Sequence, residues 1–438
     1  MAEIRPFKGY RYKLAKQEDL GNRIAPPYDM LDDAKIQALY KKDPLNAVRI
    51  DQGRRETGDS ANRDRHDRAA RLFADWISRG LVRADEKPFF YIYEQRFTVE
   101  RAGKKEPFER SGIVALVKLV DFSEGVVLPH EYTLSGPKID RYEHLEATRL
   151  NAGQIFGLLS DDKGEIFELI RNMKGDGATP AGTAMDPDGV RHALYPCGDP
   201  ALIERLQNAV RPSTILIADG HHRYETALKF YHDHKNDPFC SHVMMTLVSM
   251  ADPGLIIRSF HRLIRKGNGG RNVDMRRELE GNFQITDLGT ADLSTINSFL
   301  GGRIETEMLF VDSSSRRICG LRLNKEGESF LASSIPDKSL HWKHLDMSKI
   351  NAIVVHRILG LPLDGRVLHD VVAYMNDAAA ALEASCNAQE YWGGFFIRPV
   401  SIATIHRIVK GGERMPQKST NFYPKLYSGL VFNRLGDT

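Results

Sequence analysis

The stretch Ile215-Leu216-Ile217-Ala218-Asp219-Gly220-His221-His222-Arg223-Tyr224-Glu225-Thr226-Ala227-Leu228 decides how the chain is read. An apolar run over residues 214–218 meets an acidic turn, and the turn opens directly into a helical pattern. A strand, turn and helix in that order aim the N–H groups of the first helical turn, two imidazoles and a guanidinium at one small volume. Those N–H groups and the positive end of the helix dipole favour an anion. Arg223 adds a fixed charge whose planar fork suits phosphate. Asp219 is placed to cap the helix, and Gly220 permits close backbone approach. Asp-Gly before a helix also serves as plain punctuation. The combination with His221, His222 and Arg223 favours an oxyanion or phosphate site.

A chain of 438 residues exceeds one ordinary core. Three regions are expected: 1–265 carrying the Asp219 loop, 272–341 as an inserted or second α/β block, and 342–438 packing back on the core. With 42% hydrophobic and 27% charged residues the composition is that of a globular protein. Sixty-one basic and 58 acidic residues leave a net charge of +3, which argues against a nucleic-acid partner held by global charge. The four cysteines form no CxxC pair and read as reduced thiols. No run approaches the ~18 apolar residues of a membrane span, and residues 1–6 lack the apolar core of a signal peptide. The expected setting is the cytoplasm, with no membrane partner, and a homo-oligomer stays open.

Along the chain, Pro26-Pro27 stiffens a loop ending in Tyr28 and Asp29. Helical spacing predicts helices over 32–42, 62–80, 140–151, 200–209, 275–282, 347–359, 372–384 and 402–409. Strands are expected at 89–99, 112–120, 243–250, 254–257, 308–311, 318–323, 392–397 and 429–432. Lys266-Gly267-Asn268-Gly269-Gly270-Arg271-Asn272 reads as a boundary or surface loop. Neighbouring strands with scattered helices point to an α+β fold rather than strict βαβ alternation.

Two further segments carry chemistry. His130-Glu131-Tyr132-Thr133, followed by Lys138, Asp140 and Arg141, crowds ionisable groups after an apolar run. It suits a cleft lip with Glu131 as general base, or equally a solvated loop entering a helix capped by Asp140. Lys418-Ser419-Thr420 ends like a phosphate-binding loop, but Pro416 and misplaced glycines exclude a true P-loop. The whole loop over residues 411–425, with two lysines (Lys418 and Lys425) and two hydroxyls, reads as a lid over an anion or as a structural strap. His261, beside Arg262, is a candidate second cation or a surface pair.

His221 and Glu225 share a helix face, yet the zincin order and tetrahedral Cys/His spacing are absent. Mg²⁺ through Asp219 and Glu225 fits phosphate chemistry better. No Gly-x-Ser-x-Gly elbow and no Gly-x-Gly-x-x-Gly after a strand occur, so no NAD is expected, nor haem or flavin.

Together these motifs resemble the domain-of-unknown-function family numbered 1015. The likeness rests on Pro6-Phe7, Ala25-Pro26-Pro27-Tyr28-Asp29, His130-Glu131, Asp140-Arg141, residues 218–228, Arg414-Met415-Pro416-Gln417-Lys418-Ser419-Thr420 and residues 422–425. It departs at Arg258-Ser259-Phe260, where the family has a Pro-Thr step. A shorter likeness joins Asp219-Gly220-His221-His222-Arg223 to the phosphate-binding loop of the ParB/sulfiredoxin superfamily, whose members bind ATP, CTP or ADP and include free-serine kinases.

That second resemblance implies a central ParB/sulfiredoxin-like mixed unit with a smaller α/β block toward the C-terminal half. It also implies phosphoryl transfer to a small hydroxylated, serine-like metabolite, using Mg²⁺ with ATP or ADP. Residues 220–223 would cradle phosphate, Arg223 and Lys418 would neutralise charge, and Glu131 or His222 would take the hydroxyl proton. The alternatives are a phosphohydrolase with His221 as base or phosphoryl carrier, and a non-catalytic nucleotide sensor.

Overall fold

Residues 215–219 form the strand Ile215–Asp219, whose first four side chains are buried. The computed structural model describes residues 1–438 except 15–18, 60–61, 102–103, 133–134, 176, 268–269, 364 and 437–438. Thr133, Asn268 and Gly269 therefore lie outside the described residues. Ile215–Asp219 runs parallel to Val127–Pro129 on one side and antiparallel to Ile155–Leu159 on the other. The sheet continues through His242–Ser249, Lys104–Lys118, Phe90–Arg101, Arg191–Cys197 and Gly182–Met185, with Ile4–Arg5 paired to Lys104–Lys118. Every residue of Ile155–Leu159 and His242–Ser249 is buried, as expected of strands covered on both faces.

Helices close over this sheet through apolar stripes. Ile166 and Ile170 of Glu165–Met173, Leu206 and Val210 of Pro200–Val210, and Tyr224 and Ala227 of His221–Asp233 share its core. Asp199 caps Pro200–Val210 by accepting from the Ala201 and Leu202 N–H groups. The result is a mixed α/β fold with helices interleaved among several sheets.

The chain divides differently from the sequence expectation. One unit comprises Met1–Thr98, Pro107–Ile256 and Pro424–Thr438; the other comprises Val99–Glu106 and Ile257–Tyr423. The second unit holds a sheet ordered Phe283–Thr290, Arg317–Leu323, Met308–Asp312, Tyr391–Phe396, His261–Arg265, Val372–Met375. That sheet draws strands from all three expected regions, so 272–341 is not a block of its own. Lys266 and Arg271, at the expected boundary, bond through their N–H groups to the Glu390 and Leu359 carbonyls within the second unit.

Local expectations are corrected for tertiary reasons. The helix expected at 140–151 is Ser135–Thr148, followed by the strand Leu150–Asn151 paired with Asn433–Arg434. The expected 372–384 helix splits, because Val372–Met375 pairs with His261–Arg265 and Asp377 then caps Ala378–Ser385. The strand expected at 254–257 is Ile256–Arg258, and it pairs with Asn421–Tyr423 instead of the sheet holding His242–Ser249. Of the strand expected at 429–432, Phe432 makes an isolated bridge to Tyr10. Among the described residues no helix is long and apolar enough to cross a membrane.

Candidate functional site

The parallel strands Val127–Pro129 and Ile215–Asp219 set Pro129 opposite Ile217, so their carboxyl ends open at one edge. Such strand ends are where open α/β sheets bind ligands. His130 and Glu131 follow the first strand, Asp219 and Gly220 the second. The His130 backbone N–H donates to His221 Nε2 at 3.2 Å, and His130 Nδ1 lies 2.6 Å from the Ile217 carbonyl. A carbonyl only accepts, so His130 carries its proton on Nδ1. Burial, with His130 alongside, pushes the His221 imidazole down to about 3. His221 is thus neutral, and its Nε2 lone pair is occupied by a main-chain donor. That geometry makes it a tie between strand ends, not a free base or phosphoryl carrier. His130 Nε2 stands 3.6 Å from Glu131 Oε1, which places Glu131 at the same edge.

Gly220, with φ +90°, begins the helix His221–Asp233, and its start carries no side-chain cap among the described residues. The expected Asp219 cap is therefore corrected. Asp219 Oδ2 instead accepts from Lys425 Nζ at 3.0 Å. Burial would raise the Asp219 carboxyl, but Lys425 and Arg223 outweigh it and hold the group well below the ordinary carboxylate range. A Cβ on Gly220 would lie 3.0 Å from Arg223 Nε, so the glycine lets the guanidinium fold across the turn. Arg223 donates through Nη1 to the Gln154 carbonyl, while its buried Nε has no hydrogen-bond partner among the described residues.

Tyr28, in the short turn Tyr28–Met30, presents its ring to two guanidinium groups, at 4.5 Å from Arg141 and 5.9 Å from Arg223. Burial pushes its phenol up to about 12, so it stays protonated. Asp29 is exposed beside it. Arg141 is buried and bonds to the Asp51 carbonyl at 2.8 Å and to Asp140 Oδ2 at 2.7 Å. Asp140 also takes Arg65 and His66, so it is a structural hub within its helix and not a cap. Lys138 is ion-paired with Glu225. His222 is half-buried, and burial lowers its pKa.

The carboxylates expected to hold Mg²⁺, Asp219 and Glu225, each carry a lysine ammonium. Among the described residues, no group of three or more His, Cys, Asp or Glu is placed to hold a metal. This donor set does not fit a resident Mg²⁺.

Four expected site residues belong to the second unit. Lys418 is exposed, with φ +54°, and its carbonyl accepts from Arg262 at 3.2 Å. Ser419 and Thr420 are buried, and the Ser419 hydroxyl donates to the Pro416 carbonyl. His261 is buried on the Phe396 ring and is pushed down to about 4 by burial and Arg262, so it is no second cation.

Sequence reasoning passed over Gln154, Asp51 and Ser428, and read Lys425 only as part of the 411–425 loop. The Ser428 hydroxyl donates to Asp51 Oδ2 at 2.8 Å. A narrow cavity of about 40 Å³, lined among others by Asp51, Arg141, Gly153 and Arg223, adjoins them. It holds only a few waters. The one available signal was Pro424-Lys425 at the end of the last family block.

The sequence profile of a family described as "Protein of unknown function (DUF1015)" matches residues 4–348. The chain belongs to the DUF1015 family. No curated protein matches this DUF1015 chain. Among solved structures, it is similar to a mutant free serine kinase in complex with ADP, at 12% identity and TM-score 0.34, over 70% of this chain and 86% of that one. A conserved hypothetical protein from Pyrococcus furiosus aligns at 13% identity and TM-score 0.34, over 74% and 96% of the two chains. SbnI with C-terminal truncation from Staphylococcus aureus aligns at 9% identity and TM-score 0.35, over 72% and 85%.

Proposed function

We propose that the first unit binds the phosphate groups of a nucleotide or phosphorylated small molecule at the Asp219 turn. In the fuller form of this reading it is a phosphotransferase with a ParB/sulfiredoxin-like core, moving phosphate between ATP or ADP and a small hydroxylated, serine-like metabolite. The observation that carries the reading is the buried Arg223 Nε, without a hydrogen-bond partner among the described residues, beside a helix start that lacks a side-chain cap. An uncapped helix start and a guanidinium together present several donors and positive charge to one anion. Glu131, at the neighbouring strand end, is the base for an acceptor hydroxyl. Phosphoryl transfer depends mainly on positioning and charge stabilisation, which this turn supplies.

The test is a thermal-shift series of the full chain against ATP, ADP, CTP, GTP, phosphate and phosphoserine, each with and without Mg²⁺. A ligand of the native state raises the unfolding midpoint with concentration. The expected result is a shift with at least one phosphate compound that Arg223→Ala abolishes. Midpoints that no phosphate compound moves would overturn the reading.

A further inference from the structure

Residues 424–428 are held by a buried polar network in the first unit. Gln95 Nε2 donates to the Lys425 carbonyl at 2.9 Å, and Arg110 Nη2 donates to the Pro424 carbonyl at 2.6 Å. Arg110 also donates to Gln95 Oε1 and lies 4.7 Å over the Phe156 ring. Both side chains are only 1% exposed. The Tyr427 N–H donates to the Tyr93 hydroxyl at 3.3 Å, and Ser428 bonds to Asp51.

Removing a guanidinium from water is costly, and a chain segment can be packed down with apolar contacts alone. Here Arg110 and Gln95 grip consecutive carbonyls, which sets the main chain from which Lys425 reaches Asp219. An ammonium at the positive end of a helix is disfavoured unless an anion compensates it. Asp219 is that anion in the free protein, and at 20% side-chain exposure Lys425 remains within a ligand's reach. A phosphate entering at residues 220–223 meets the same ammonium.

We propose that Lys425 is a phosphate-binding residue of the Asp219 turn and that Gln95 and Arg110 are its positioning residues. The proposal rests on the phosphate-binding reading above. In the bound state the Lys425 ammonium transfers from the Asp219 carboxylate to a phosphate oxygen, with no covalent change. Arg223 and Lys425 then face the anion from two separate parts of the chain.

The experiment measures dissociation constants for inorganic phosphate and ADP, without Mg²⁺ and well below the unfolding midpoint. It compares the wild type, Arg223→Ala, Lys425→Ala, Lys425→Arg, Gln95→Leu and the Gln95→Leu/Lys425→Ala double variant. Loss of a hydrogen bond to a charged group predicts roughly tenfold weaker binding in Lys425→Ala, with most of it restored in Lys425→Arg. Gln95→Leu weakens binding in the wild-type background and adds nothing in the Lys425→Ala background, which a general loss of stability would not produce. Wild-type affinity in Lys425→Ala, with Arg223→Ala impaired, overturns this proposal and leaves the phosphate reading standing. An equal effect of Gln95→Leu in both backgrounds removes its positioning role. A wild type that binds neither probe overturns both.

Discussion

The His130 backbone N–H and the His221 imidazole, 91 residues apart, share a hydrogen bond of 3.2 Å across the ends of two parallel strands. This bond needs a neutral acceptor at Nε2, and burial enforces that state by moving the imidazole from its ordinary 6.5 down to about 3. His144, bonded to the Ile50 carbonyl, is likewise pushed down to about 3, first by burial and then by Arg141.

The sign of the pH dependence follows. Between the folded and unfolded pKa values the unfolded chain binds more protons, so stability rises with pH in that window. The contribution of His221 and His144 is complete above about pH 6.5 and is lost as pH falls toward 3. Urea midpoints should therefore drop between pH 7 and 5, and the drop should be smaller in His144→Asn. Level midpoints over that range contradict the assignment.

Gly220→Ala is expected to destabilise the chain by about 1–2 kcal/mol, because a non-glycine residue is strained at φ +90°. Phosphate affinity should fall further than stability explains, since the new methyl group meets Arg223. Denaturation and phosphate titration of the same variant separate the two effects. Gly220→Asn should be the milder change, as asparagine tolerates the left-handed region better.

Asp140→Asn removes the shared partner of Arg65, His66 and Arg141. Leaving a buried guanidinium short of its carboxylate costs about 3 kcal/mol. A denaturation midpoint equal to that of the wild type would show that Asp140 is not the hub described.

Asp219→Asn separates a counter-ion from a metal ligand. As the counter-ion of Lys425, Asp219 competes with an incoming anion, so the variant should bind phosphate more tightly without Mg²⁺. Weaker ADP binding, seen only when Mg²⁺ is present, would instead place a metal on this carboxylate.

The strand, turn and helix of residues 215–228 were legible because one apolar run, one glycine and one amphipathic stretch follow directly in sequence. The residues of the proposed phosphate-binding turn were legible for the same reason. Its tertiary completion was not. Asp219 read as a cap because capping is local, whereas its actual partner lies 206 residues away. The helix start at Ser135 was hidden because Asp140, which looks like a cap, serves two arginines and a histidine inside the helix. Val372–Met375 became a strand through pairing with His261–Arg265, a partner that helical periodicity does not reveal.

The chain leaves the first unit at Ile256 and rejoins it at Pro424. During synthesis the Asp219 turn therefore emerges from the ribosome long before the lysine that faces it. Until Pro424-Lys425 is made, Asp219 has no ammonium and Arg110 has no Pro424 carbonyl to grip. A partly made chain can thus display the turn without its counter-charge, and the order of translation delays completion of the site until the second unit has been made.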